Sequence, residues 1–132
     1  MTGRSEATTA TRGYRRAPAL TTIGGLLVAG AADASQGYDG PGPYMCWVIA
    51  VLVALWPRLW SLGLAAALSV LLLGGGVAAP EVTEALTTPS DGVLFVSMVV
   101  QLLAHAVTLV AACAASWLNR GTDAPRMLLA RR

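Results

Sequence analysis

Apolar residues fall into four stretches along the chain, separated by short segments that are polar or rich in glycine and proline. The stretches cover residues 19–35, 43–57, 59–79 and 92–118. A helix of roughly 20 apolar residues crosses a hydrocarbon layer of about 30 Å, so the pattern predicts one helix for each stretch. The expected fold is an all-α membrane protein with a four-transmembrane-helix bundle formed by residues 19–118.

The longest stretch, residues 92–118, carries a row of polar side chains. It holds 27 residues without a formal charge, and at 1.5 Å per residue it spans about 40 Å. Four polar residues fall within about 80° of arc on this helix: Ser97, Gln101, His105 and Thr108. The opposite side is apolar, so the polar seam is predicted to face the bundle and the apolar side the lipid.

The first stretch, residues 19–35, has two interpretations. Gly25 and Ala29 have the small-xxx-small spacing that allows close helix contact, which favours a retained transmembrane helix. The basic segment before it and the Ala32-Asp33-Ala34 sequence also match a signal peptide with its cleavage site. Retention gives four spans and is the simpler arrangement, whereas cleavage would leave three.

The second and third stretches are separated by Pro57-Arg58. A single kinked helix would place Arg58 near the bilayer centre, at a cost of about 2.5–3.5 kcal/mol on insertion scales. A tight hairpin avoids this cost, because the arginine then lies at the membrane surface. In the third stretch Ser61, Ala65 and Ser69 repeat every four residues and predict a thin helix edge suited to close packing.

The segment between the third and fourth stretches has the pattern of a short interfacial helix. Pro80 suits a first helical position, and Glu81 and Glu84 suit the positive N-terminal end of a helix. Ser90 or Asp91 is expected to cap the last span.

Charge predicts the orientation of the chain. All nine basic residues are arginines, and they lie at the two termini and at position 58, with none in the other two loops. By the positive-inside rule both termini are cytoplasmic. Residues 1–18 are expected to form a disordered basic tail, and residues 119–132 a short basic cytoplasmic tail. Arginine without lysine, together with abundant alanine, glycine, valine and leucine, suggests a bacterial plasma-membrane protein, and the net charge of +2 is too small to indicate nucleic-acid binding.

The sequence carries no pattern typical of an enzyme. A nucleophile elbow, an H-E-x-x-H helix and paired cysteine motifs are all missing. We therefore expect a protein that is not an enzyme, with no catalytic, cofactor-binding or metal-binding residues and no cofactor. Cys46 and Cys113 are expected near opposite membrane faces, too far apart to form a disulfide.

The polar seam itself has a structural and a functional interpretation. Gln101 and His105 would hydrogen-bond across helices in the first, and would bind a proton, metal or ligand in the second. The predicted spans offer His105 no acid, lysine or second histidine, and Asp33, the nearest acid, is expected at the outer rim of the first span. The structural interpretation is therefore favoured.

Three function classes remain. The favoured one is a small accessory or assembly protein in the lipid bilayer, acting as a homo-oligomer or with a larger membrane-protein partner. The first alternative is a small oligomeric transporter or channel that uses Gln101 and His105. The second is a phage-type hole-forming protein, which is also short and spans the membrane several times.

Overall fold

The chain folds into helices joined by short turns. The structure, a computed structural model, describes the backbone of residues 3–37, 40–87 and 91–129, and side chains within 16–37, 40–87 and 91–120. These residues form five helices and no strand: α1 (Gly3–Ser35), α2 (Gly42–Leu55), α3 (Leu59–Ala78), α4 (Pro80–Thr87) and α5 (Gly92–Leu129). The prediction of an all-helical protein is confirmed.

Three of these helices contain segments long and apolar enough to cross a membrane: Arg16–Ser35, Leu59–Ala78 and Gly92–Arg120. The remaining apolar helix, α2, has 14 residues and is about 21 Å long. Large apolar side chains cover the outside of the bundle, among them Val110 at 70% and Trp117 at 76% exposure. An outer surface of this kind suits lipid, because soluble proteins rarely expose large continuous apolar patches.

The structure extends both terminal helices into segments for which the sequence predicts irregular tails. α1 begins at Gly3 and α5 ends at Leu129, so both helices continue beyond the apolar stretches. Once packing has fixed the apolar part of a helix, each added residue gains a backbone hydrogen bond without a new nucleation cost. Pro18 lies inside α1, and its carbonyl accepts a hydrogen bond from the Thr22 hydroxyl at 2.9 Å.

α1 and α5 form the centre of the bundle, with α2 packed on α1 and α3 packed on α5. At the crossing of α1 and α5, Gly25 leaves no space for a side chain. A Cβ there would overlap the Thr108 hydroxyl and come within 3.2 Å of the Ala104 carbonyl oxygen. Ala29, one turn later, is fully buried. The close helix contact predicted from the spacing of Gly25 and Ala29 is therefore confirmed.

Neighbouring helices run antiparallel. Gly30 of α1 lies against Trp47 of α2, and Ser35 lies against Ser97 of α5. The end of α1 and the start of α5 therefore share one end of the bundle with α4, which we call the α4 end. Three arginines lie at the opposite end, which we call the arginine end: Arg16, Arg58 and Arg120.

The turns follow the sequence pattern. α2 ends at Leu55 and α3 begins at Leu59, so the predicted break at Pro57-Arg58 is confirmed. The Asp91 carboxylate accepts hydrogen bonds from the Val93 and Leu94 N–H groups at 2.9 and 3.2 Å, which confirms it as a cap of α5. The alternative cap, Ser90, lies outside the described residues.

The predicted thin edge of α3 is buried. Ser61, Ala65 and Ser69 are fully enclosed, and Ala65 belongs to an apolar core that also contains Leu26, Val53, Leu62 and Ala112. Both cysteines are free, with Cys46 buried and Cys113 exposed, in agreement with the prediction that they do not pair.

The two buried serines of α3 are expected to respond oppositely to alanine. The Ser61 hydroxyl accepts from the Arg58 N–H at 3.2 Å and can donate to the Arg58 carbonyl at 2.9 Å, whereas the Ser69 hydroxyl has no partner among the described residues. Ser61→Ala is expected to lower the unfolding free energy by about 1 kcal/mol, and Ser69→Ala to leave it unchanged or raise it by up to about 1 kcal/mol. Helicity measured during SDS titration of the two purified variants checks this, and equal losses would contradict it.

Candidate functional site

The polar seam of α5 faces α1, and two of its members bond to the end of that helix. The hydroxyls of Ser97 and Ser35 are 3.0 Å apart. The Gln101 side-chain oxygen accepts a hydrogen bond from the Gln36 amide at 2.7 Å. These contacts fasten α1 to α5 at the α4 end. Gln36 was not among the candidate residues chosen from the sequence, so this contact was not predicted.

Thr108, at the other end of the polar seam, makes its hydrogen bond within its own helix. Its hydroxyl donates to the Ala104 carbonyl at 2.7 Å and is fully buried against Gly25 of α1. This hydroxyl is therefore part of the helix packing and does not line an open space.

His105 differs from the rest of the seam because it is enclosed and unsatisfied. Its side chain is 1% exposed, and neither ring nitrogen has a hydrogen-bond partner within the described part of the chain. Buried polar groups in proteins nearly always have a partner, and leaving one unpaired costs about 1–3 kcal/mol. The structural interpretation of the seam requires such a partner, and for His105 the described residues provide none.

His105 lines a cavity of about 480 Å³ at the α4 end, between α1, α3, α4 and α5. The polar part of the lining consists of Asp33, Gln36, Glu81, Gln101 and His105. The apolar part comes mainly from α3, α4 and α5, with Leu72, Gly75, Gly76, Ala79, Val82, Met98 and Leu102. The cavity lining therefore combines polar and apolar side chains.

Asp33 belongs to this site, which corrects the expectation that His105 has no acidic neighbour. Asp33 lines the same cavity and interacts electrostatically with both Gln101 and His105. The spacing of buried residues along α1 contains a signal for this position: Leu26 and Ala29 are buried, and Asp33 follows on the same helix face. What the sequence does not give is the register of α1 against α5, which puts that face opposite His105.

Two further features of the site come from the first turns of α4 and α2. Glu81, in the first turn of α4, reaches the cavity because α4 folds back over the end of the bundle. Gly42, the first residue of α2, lies directly against the Asp33 carboxylate, and a side chain at this position would overlap it. The carboxylate thus lies at the positive end of the α2 dipole.

The cavity is acidic. Its lining includes the two carboxylates of Asp33 and Glu81 and no basic residue. The chain contains no lysine, and the described arginine side chains lie at the arginine end. The dipole of α2 contributes at most about half a positive charge, so it does not balance the two carboxylates.

The arrangement of these groups does not match a metal site. Among the residues that the structure describes, no group of three histidine, cysteine or acidic side chains is close enough to hold a metal ion. Carboxylates, amides and one imidazole together with apolar side chains can instead bind a small molecule that has both polar and apolar parts.

Comparison with known proteins gives no functional lead. No family model, curated protein sequence or solved structure matches the chain. The function therefore has to be argued from the geometry of this cavity.

Proposed function

We propose that this chain is a small non-enzymatic membrane protein of the transporter or channel type, which receives a small polar solute in the cavity at the α4 end. One observation supports this above all others: the enclosed and unpartnered His105 lines an acidic cavity. The favoured sequence interpretation required His105 to be satisfied by neighbouring helices, and the alternative required it to be free for a ligand. The alternative, in which His105 is free for a ligand, fits the geometry better.

We further propose a topology with four spans and both termini in the bacterial cytoplasm. The arginine end is then cytoplasmic, as the positive-inside rule requires, and the α4 end with its cavity faces outward. The first helix is retained in this proposal. Its support is that α1 packs at the centre of the bundle and contributes Asp33 and Gln36 to the cavity.

Assembly with a second copy or with a larger membrane protein stays a prediction compatible with this function. The polar cavity lies near one end of the bundle, and a tightly packed crossing at Gly25 and Thr108 lies below it. A complete path across the membrane would therefore require either a rearrangement of α1 against α5 or a path formed between copies.

The proposed function is tested by labelling a cysteine in the cavity with a membrane-impermeant thiol reagent. Gly76 lines the cavity, and a Cβ there would lie 3.5 Å from the Leu102 side chain, an ordinary contact distance. In a background with Cys46→Ala and Cys113→Ala, Gly76→Cys is expected to react when the reagent is added outside intact cells, because water reaches the cavity from that side.

Gly74→Cys is the matched control. Gly74 is two residues away on the same helix, has open space around it and does not line the cavity, so in a membrane it faces lipid. We expect little reaction at this position, because thiol reagents need a hydrated thiolate. An unreactive Gly76→Cys, or equal labelling of both variants, would overturn the proposal of an outward-facing solute cavity.

A further inference from the structure

The cavity contains negative charge that the described side chains do not balance. Asp33 and Glu81 both line it, and no basic residue does. Glu81 is exposed and stays hydrated, whereas Asp33 is partly buried and hydrogen-bonds to Gln101. Removing a carboxylate from water, even in part, is costly unless an opposite charge or several hydrogen bonds replace the lost hydration. The end of α2 compensates Asp33 only in part. A ligand that carries a positive charge would supply the missing compensation.

His105 further restricts the chemistry of the cation, because it favours one that carries N–H groups. A neutral imidazole has one nitrogen that accepts a hydrogen bond and one that donates, and both are free of partners in the described structure although the ring is 1% exposed. A cation with N–H groups can donate to the accepting nitrogen and to the Asp33 carboxylate. A quaternary ammonium has no N–H and can satisfy neither group with a hydrogen bond.

The apolar part of the lining indicates what the cation is attached to. Leu72, Met98 and Leu102 line the cavity together with the polar groups. An apolar lining offers no ligand to an inorganic cation, and the described residues form no three-ligand metal group. A short hydrocarbon body, in contrast, gains free energy by leaving water for this lining.

We propose that the cavity binds a small organic cation, with a primary ammonium group at Asp33 and His105, additional negative charge from Glu81 in the same lining, and an apolar body against Leu72, Met98 and Leu102. This inference rests on the proposed function, because it names the class of solute that the outward-facing cavity receives. It assigns the two carboxylates to charge recognition and His105 to recognition of the ammonium N–H.

The test measures binding of four probes of similar shape to the full-length protein in lipid nanodiscs by isothermal titration calorimetry, with empty nanodiscs subtracted. The probes are benzylammonium, benzyltrimethylammonium, benzyl alcohol and benzoate. Benzylammonium is expected to bind most tightly, the quaternary probe more weakly, and the neutral and anionic probes weakest. Asp33→Asn is expected to raise the Kd for benzylammonium by about 30-fold or more, since it removes one partner of a desolvated charge pair.

Two acids of α4 provide a matched pair should Asp33→Asn fail to fold. Glu81 lines the cavity and Glu84 does not, although both are exposed on the same short helix. Glu81→Gln is expected to weaken benzylammonium binding several-fold, and Glu84→Gln to leave it unchanged. Equal effects of the two substitutions would overturn the charge recognition.

The outcomes separate this inference from the proposed function. Suppose that Gly76→Cys reacts from outside, so that the cavity is open to water. If benzyl alcohol or benzoate then binds as well as benzylammonium, or if none of the probes binds, the proposed solute class is wrong. If Gly76→Cys does not react, the proposed function fails first. Benzylammonium binding that is unchanged in both Asp33→Asn and Glu81→Gln would overturn the assigned site.

Discussion

Gly25→Ala is expected to lower the free energy of unfolding by about 1–3 kcal/mol, the range typical of an extra methyl group in a tightly packed contact. The added Cβ would overlap the Thr108 hydroxyl and crowd the Ala104 carbonyl. Rotating Thr108 does not relieve this, because its hydroxyl would lose the 2.7 Å bond to Ala104 while fully buried. The helices would have to separate, and α1 and α5 are the central pair of the bundle.

The neighbouring residue gives the control. A Cβ at Gly24 would meet no atom within 4 Å, so Gly24→Ala is expected to be neutral or to stabilise by up to about 1 kcal/mol through better helix propensity. Helicity during SDS titration, or steric trapping in a bilayer, measures both variants. If Gly24→Ala and Gly25→Ala behaved alike, the packing of α1 on α5 through Gly25 would be contradicted.

His105→Leu and Gln101→Leu are expected to change stability in opposite directions. His105 is buried without a hydrogen-bond partner among the described residues, so leucine removes an unpaired polar group and is expected to raise the unfolding free energy by about 1–3 kcal/mol. Gln101 receives a 2.7 Å hydrogen bond from Gln36, and its loss is expected to lower stability by about 0.6–1.7 kcal/mol, the measured range for such bonds in membranes.

The same two variants separate the interpretations of the polar seam. If His105 were a packing residue, His105→Leu would destabilise the protein as Gln101→Leu does. If it belongs to a ligand site, the more stable His105→Leu variant is expected to lose benzylammonium binding. A variant that is both more stable and still binds the probe normally would contradict the role given to His105.

The local features of the fold could be predicted from the sequence because each has a local physical cause. Proline and arginine at positions 57 and 58 end one helix and begin another, and Asp91 caps α5 through its own side chain. The small residues Gly25 and Ala29 indicated a close helix contact without indicating which helix makes it. Hydropathy likewise located the apolar segments of the helices to within a few residues, since burial in lipid demands a long apolar run, but it did not predict how far α1 and α5 extend beyond them.

The site could be predicted only in part, because it depends on contacts between distant segments. The four residues of the polar seam do lie on one face of α5. Three of them take part in helix contacts, namely Ser97, Gln101 and Thr108, whereas the His105 imidazole has no hydrogen-bond partner among the described residues. Asp33 and Glu81 join His105 through the register of α1 against α5 and through the fold of α4 over the bundle end. Neither the register of α1 against α5 nor the position of α4 is encoded in a local sequence pattern. From the sequence alone, Asp33 was expected at the outer rim of the first span.

The shortness of α2 has a consequence for the membrane around the protein. In the proposed four-span topology this helix, at about 21 Å, is roughly 9 Å shorter than a typical hydrocarbon layer, so lipid beside it has to thin or admit headgroups and water. Its first residue, Gly42, lies against Asp33, which places the thinned region next to the carboxylate. Hydrophobic mismatch is therefore expected to keep Asp33 hydrated, and thicker bilayers to draw it into the hydrocarbon layer.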